Sequence, residues 1–116
     1  MYDPLNSAIS IGDNLHMVSD AKRAGITLFT ECKLTTMGNA TISIGNNVGL
    51  NGVAITSRKQ VEIGDNTIIA PNTIIVDSDF HVLWPPEGRY GPLPPEADRK
   101  VKIGRNVWIG MNATIL

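Results

Sequence analysis

The chain is predicted to be all-β, a parallel β-helix of hexapeptide repeats with one extruded proline-rich loop. Three observations carry that expectation. First, the phrase Ile/Val-x-Ile-Gly-(Asp/Asn/Arg)-Asn occurs four times, at residues 9–14, 42–47, 61–66 and 101–106. Second, the last two copies run on into another six-residue unit, IGDNTI–IAPNTI and IGRNVW–IGMNAT. A period of six opened by an aliphatic residue is the pattern of a β-helix coil. Third, the fourth place of the unit is Asn14, Asn47, Asn66, Asn72, Asn106 or Asn112. Asparagine tolerates a left-handed backbone better than other non-glycine residues, so it marks a corner. An antiparallel sandwich with glycine-rich turns has no reason to place Asn at a fixed period.

The unit openers are Ile11, Ile44, Leu50, Ile63, Ile69, Ile75, Ile103, Ile109 and Ile115. Ile9, Ile42, Val61 and Val101 stand two places earlier, on the same face of a short strand. Both sets are expected to point into the coil. So is the fifth place, held by Val48, Ala54, Thr67, Thr73, Val107 and Ala113.

In chain order, residues 1–10 lead into the first phrase. Residues 15–25 break the hexads and suggest a coil with a surface loop. Residues 26–34 alternate apolar and polar, which predicts a strand. Residues 35–55 return to regular coil, and residues 56–60 form a polar corner. Residues 61–76 hold the cleanest repeat. Residues 82–100 hold no hexad and five of the seven prolines, so they are expected to protrude. Residues 101–116 resume the coil.

One coil is about 18 residues. The second and third phrases start 19 residues apart, one coil plus one residue. The third and fourth start 40 apart, one coil plus the protruding loop. The first and second start 33 apart, close to two coils. The chain stops just after a hexad begins, and an open coil end exposes unpaired backbone. That suggests either a shortened relative of something longer or a partner over the end.

Composition narrows the class. A length of 116 residues suits one domain, residues 1–116. Aromatic content of 5% fits a narrow aliphatic core. A net charge of −1 gives no general attraction to nucleic acid or membranes. Cys32 is the single cysteine and has no internal partner, and neither a signal pattern nor a transmembrane run is visible. A cytoplasmic protein is expected. His16 and Cys32 lack partners at metal-ligand spacing, so no metal site is expected.

His81 stands where the regular coil gives way to the protruding loop. Asp77 and Asp79 precede it, and Asp79 occupies a fifth place where other units have a small apolar residue or Thr. Either acid is placed to orient an imidazole, or both are solvated loop carboxylates. Trp84, Pro85, Pro86 and Tyr90 lie in the loop, as a lid over a site or as packing. Arg99, Lys100, Lys102 and Arg105 form a basic cluster, for phosphates or for solvent.

The string IGDNTIIAPNTIIVDSDFH, the proline-rich loop, then VKIGRNVWIGMNATIL resembles the hexapeptide-repeat acyltransferases. The maltose, galactoside and colanic-acid O-acetyltransferases are the nearest branch. The resemblance implies a left-handed β-helix, an exception to the right-handed crossover rule. It implies homotrimers with sites between subunits, and transfer of acetyl from acetyl-CoA to a hydroxyl of a sugar-like acceptor. It makes His81 the general base, for which Asp79 is the expected partner by its place in the hexad. It makes Asn51 a residue that holds the acceptor, and Trp84, by its place in the loop, would close over the same site. Trp108, Ile109 and Gly110 would line the acetyl-CoA arm. The other expectation is a non-catalytic β-helix serving as a trimeric scaffold or binding module.

Overall fold

In the computed structural model, residues 8–116 are described, and they form a left-handed parallel β-helix. Each coil visits three sheets in turn. The first coil holds β1 (Ala8–Ile11), β2 (His16–Val18) and β3 (Lys33–Thr36). The second holds β4 (Thr41–Ile44), β5 (Gly49–Asn51) and β6 (Ala54–Ser57). The third holds β7 (Gln60–Ile63), β8 (Ile68–Ile69) and β9 (Ile74–Val76). The fourth holds β10 (Lys100–Ile103), β11 (Trp108–Ile109) and β12 (Thr114–Ile115). The sheets run β1–β4–β7–β10, β2–β5–β8–β11 and β3–β6–β9–β12, with every pairing parallel.

The aliphatic places form the core. Ile42, Ile44, Val61, Ile63, Leu50, Ile69 and Ile75 are buried in one cluster that also takes Val48, Val53 and Ile55. Full burial of each aliphatic side chain contributes about 1.5–3 kcal/mol. Ile9 and Ile11 are in register with Ile42 and Ile44 but are 43% and 46% exposed, because β1 is the outer strand of its sheet.

The asparagine corners are left-handed, with φ of 59°, 55°, 57° and 58° at Asn14, Asn47, Asn66 and Asn106. Their side chains form a ladder down one edge. Each Nδ2 donates to the next Oδ1, from Asn14 to Asn47 (3.0 Å), to Asn66 (3.1 Å) and to Asn106 (3.3 Å). The glycine beside the corner is required by close approach. A Cβ on Gly64 would lie 2.6 Å from the Gly104 carbonyl carbon.

Several details differ from expectation. The 33-residue interval is one coil, since Ile9 pairs directly with Ile42. Residues 19–32 leave the helix between β2 and β3 and account for the surplus. Residues 26–32 are not strand, and β3 starts only at Lys33. Their backbone bonds a side chain instead of a neighbouring strand: Phe29 N–H donates to Asn72 Oδ1 (2.8 Å), and Asn72 Nδ2 donates to the Thr27 carbonyl (2.9 Å). Ala54 is half-buried and Val53 takes the inward place. The unit opened by Leu50 is one residue short, and Gly52 (φ +54°) makes its corner.

The protruding segment covers residues 77–99, because Lys100 already belongs to β10. Two 3-10 turns, Pro86–Gly88 and Pro95–Ala97, shape it. No helix among the described residues is long and apolar enough to cross a membrane.

Candidate active site

The base of the protruding segment is closed like a hairpin. Arg99 N–H donates to the Asp77 carbonyl (2.7 Å), and Asp79 N–H donates to the Ala97 carbonyl (3.0 Å). Ser78 and Asp98 form an antiparallel bridge between them. An ion pair from Arg58 Nε to Asp98 (3.0 Å) ties this hairpin to the corner after β6.

Asp77 is structural. It is 2% exposed, and its carboxylate accepts bonds from Ser57 Oγ and from the N–H groups of Arg58, Lys59 and Gln60, at 2.7–2.9 Å. These donors make the corner between β6 and β7. Buried polar groups need such partners, and here one carboxylate satisfies three backbone donors at once. Asp77 is thus neither an orienter of the imidazole nor a solvated loop carboxylate, the two alternatives open for it.

Asp79 also does not meet the imidazole. Its two oxygens face the Arg99 guanidinium at 3.3 and 3.5 Å. Arg99, the residue just before β10, supplies a charge-assisted pair that takes up both oxygens.

What holds His81 is backbone. Its Nδ1 lies 2.9 Å from the Arg89 carbonyl oxygen. A carbonyl only accepts, so Nδ1 carries a proton and Nε2 is the ring nitrogen left to the cavity side. Nε2 has no hydrogen-bond partner among the described residues. The Tyr90 ring meets the imidazole edge to face, with centroids 5.4 Å apart and planes at 80°.

Phe80 sets the direction in which His81 leaves the coil. Its φ is +60°, and the other positive-φ non-glycine residues described are all asparagines. For a bulky residue this conformation is strained. Two short bonds maintain it: Phe80 N–H to Ser78 Oγ (3.0 Å) and His81 N–H to the Asp79 carbonyl (2.7 Å). A cavity of about 360 Å³ opens beside this turn, lined by Asp79, His81, Val82, Leu83, Arg89 and Tyr90.

The remaining expected site residues lie elsewhere within one chain. Asn51 is in β5, on another sheet from the strand that leads to His81, so the two do not share a face. It lines a separate cavity of about 250 Å³ with Val18, Arg23 and Pro71. Trp84 is exposed in the loop and does not line the His81 cavity. Trp108 is 75% exposed on the outer face of β11, beside Ile68 in register. Ile109 packs against the core, and its carbonyl accepts from Ala70 N–H (2.9 Å). The Gly110 carbonyl accepts from Thr73 Oγ1 (3.2 Å). Of the basic cluster, Arg99 is engaged by Asp79, while Lys100 and Lys102 sit on β10's outer face.

Sequence reasoning missed the Arg89 carbonyl and the Phe80 turn. Every residue has a carbonyl, so no residue type announces which one receives Nδ1. Phenylalanine likewise carries no sign of a left-handed conformation.

A coil of hexapeptides with a histidine at the root of a protruding loop defines the class: a hexapeptide-repeat protein. Two known proteins are similar to the chain. The putative lipopolysaccharide biosynthesis O-acetyl transferase WbbJ of Escherichia coli (strain K12) is 32% identical over 90 residues, covering 72% of this chain and 46% of that protein. The polysialic acid O-acetyltransferase of Neisseria meningitidis is 27% identical over 127 residues, covering 96% of this chain and 56% of that protein. The chain thus spans about half the length of the curated relatives it matches. No family model matches it, and no solved structure does. These relatives are O-acetyltransferases of the hexapeptide-repeat family, and the chain shares their repeat.

Proposed function

We propose that the chain transfers an acetyl group from acetyl-CoA to a hydroxyl of a sugar-like acceptor, with His81 as general base. The observation that carries this is the imidazole itself. Its proton is held on Nδ1 by the Arg89 carbonyl, and Nε2 is left as a base beside an open cavity. The acceptor hydroxyl gives its proton to Nε2 as its oxygen bonds the thioester carbonyl carbon. The carbon–sulfur bond then breaks, and the imidazolium returns the proton to the departing thiolate. No covalent enzyme intermediate is needed. Asp79 contributes at one remove, by fixing Arg99 and the loop base, and does not pair with the ring.

The site is completed between subunits of a homotrimer in this reading. Within one chain Asn51, Trp84 and residues 108–110 stand apart from His81, and a neighbouring subunit brings its own copies alongside. Exposed Ile68 and Trp108, side by side in register, support association, since exposed apolar patches mark interaction sites. Trp108, Ile109 and Gly110 would then flank the acetyl-CoA arm, and Asn51 and Trp84 the acceptor. The reaction is placed in the cytoplasm, in keeping with Cys32, a free thiol that donates to the Val18 and Leu50 carbonyls.

The test is thiol release from acetyl-CoA over a panel of sugars. Release is expected with the unaltered chain, and His81→Ala should lower it by about 10²–10⁴-fold. Absence of acetyl-CoA binding by calorimetry sinks the proposal and leaves the scaffold reading.

A further inference from the structure

We propose that the His81 cavity selects an anionic sugar, and that the Arg89 guanidinium recognises its carboxylate or phosphate. This rests on the acetyl-transfer reading and goes beyond it by assigning the charge class of the acceptor.

The argument is one of charge balance. Arg23 is paired with Asp20, Arg58 with Asp98 and Arg99 with Asp79. Arg89 lines the His81 cavity, is exposed, and has no carboxylate partner among the described residues. Asp79 is the only acid lining that cavity, and its two oxygens are turned to Arg99. Val82, Leu83 and Tyr90 supply the rest of the wall beside His81. The cavity therefore carries one uncompensated positive charge next to apolar surface. A guanidinium in such a place matches a carboxylate or phosphate with two parallel hydrogen bonds.

The same residue links recognition to the base. Arg89's carbonyl holds the imidazole, and its side chain starts one Cα away from that carbonyl. An anionic group seated on the guanidinium would share the cavity with the imidazole. Tyr90, 94% exposed and edge to face with the imidazole, offers a flat surface for the C–H face of the sugar.

The test reads binding without turnover. The His81 ring signals are followed by NMR while the full chain is titrated with glucuronate, and separately with the uncharged methyl ester of glucuronic acid. The acid should bind about tenfold more tightly than the ester, the effect of a charged hydrogen-bonded pair. Arg89→Ala should bring the two affinities together without unfolding, since the side chain is exposed and the carbonyl is retained; Arg89→Lys should restore part of the difference. Glucose 6-phosphate against glucose separates phosphate from carboxylate. Equal affinities for acid and ester overturn the proposal if the phosphate pair is equal too. So does an acid preference that survives Arg89→Ala, or an absence of binding by every sugar. Acid-selective binding without any acetylation supports this proposal while counting against acetyl transfer.

Discussion

Asp77→Ala removes the acceptor of three backbone N–H groups at the corner between β6 and β7, while Ser57 Oγ keeps the Thr41 carbonyl. Orphaned buried donors cost about 1–3 kcal/mol each at most, with partial relief from water. We expect a loss of about 3 kcal/mol or more in urea unfolding, whereas Asp79→Ala, which frees only a surface guanidinium, should cost about 1 kcal/mol or less. Phe80 behaves in the opposite sense. Phe80→Gly accepts φ +60° without strain, so thermal unfolding should hardly fall or should rise. Acetyl transfer should nevertheless drop, because the turn that aims His81 is no longer held to one geometry. A variant that is stable and fully active would show that the turn only connects. The asymmetry between the two acids was not legible in the sequence. Both precede a histidine, and only the register of the hairpin decides which carboxylate faces the corner and which faces Arg99.

At the level of elements, stacking makes equivalent positions unequal. Gly64 and Gly104 occupy the same place in successive phrases. A Cβ on Gly64 would meet the Gly104 backbone at 2.6 Å, whereas on Gly104 the nearest atom is Val107 Cγ2 at 3.9 Å. Gly64→Ala should therefore lower the melting temperature by several degrees, and Gly104→Ala should leave it unchanged. Asn66 sits inside the asparagine ladder with φ 57°. Asn66→Ala loses two side-chain bonds and keeps a left-handed backbone that an L-residue other than glycine resists by about 1–2 kcal/mol. Asn66→Gly should recover most of that loss, which distinguishes backbone strain from the ladder in denaturant titrations. The loop of residues 26–32 teaches the complementary lesson. Its alternation suits a strand, but every place beside β6 is already taken by residues 33–36, and Asn72 captures the backbone instead.

Over the whole molecule, the described chain is drawn out, with extents of 44 × 29 × 23 Å. A thin coil buries its inner aliphatics but leaves outward ones in water. Ile68 and Trp108, paired in register, are 51% and 75% exposed. If the chain associates through this face, Ile68→Lys combined with Trp108→Lys should shift sedimentation velocity from the assembled species to the monomer while circular dichroism stays β-rich. An unchanged sedimentation coefficient would remove this face from the interface.

The sequence by itself determined the β-helix, its corner asparagines, its inward aliphatics and the place of the long excursion. These follow from local rules that recur every six residues, so they survive without knowledge of contacts. The candidate base was legible for the same reason, as a histidine at the edge of the proline-rich break in the repeat. Only the tertiary structure decided that the 33-residue interval is a single coil, that Gly52 replaces an asparagine corner, and that Asp77 is a buried cap. It alone assigned the imidazole to the Arg89 carbonyl and Asp79 to Arg99. Those pairings join residues 8 and 20 positions apart across a folded-back loop. They depend on where that loop closes, and neither residue type nor period encodes it.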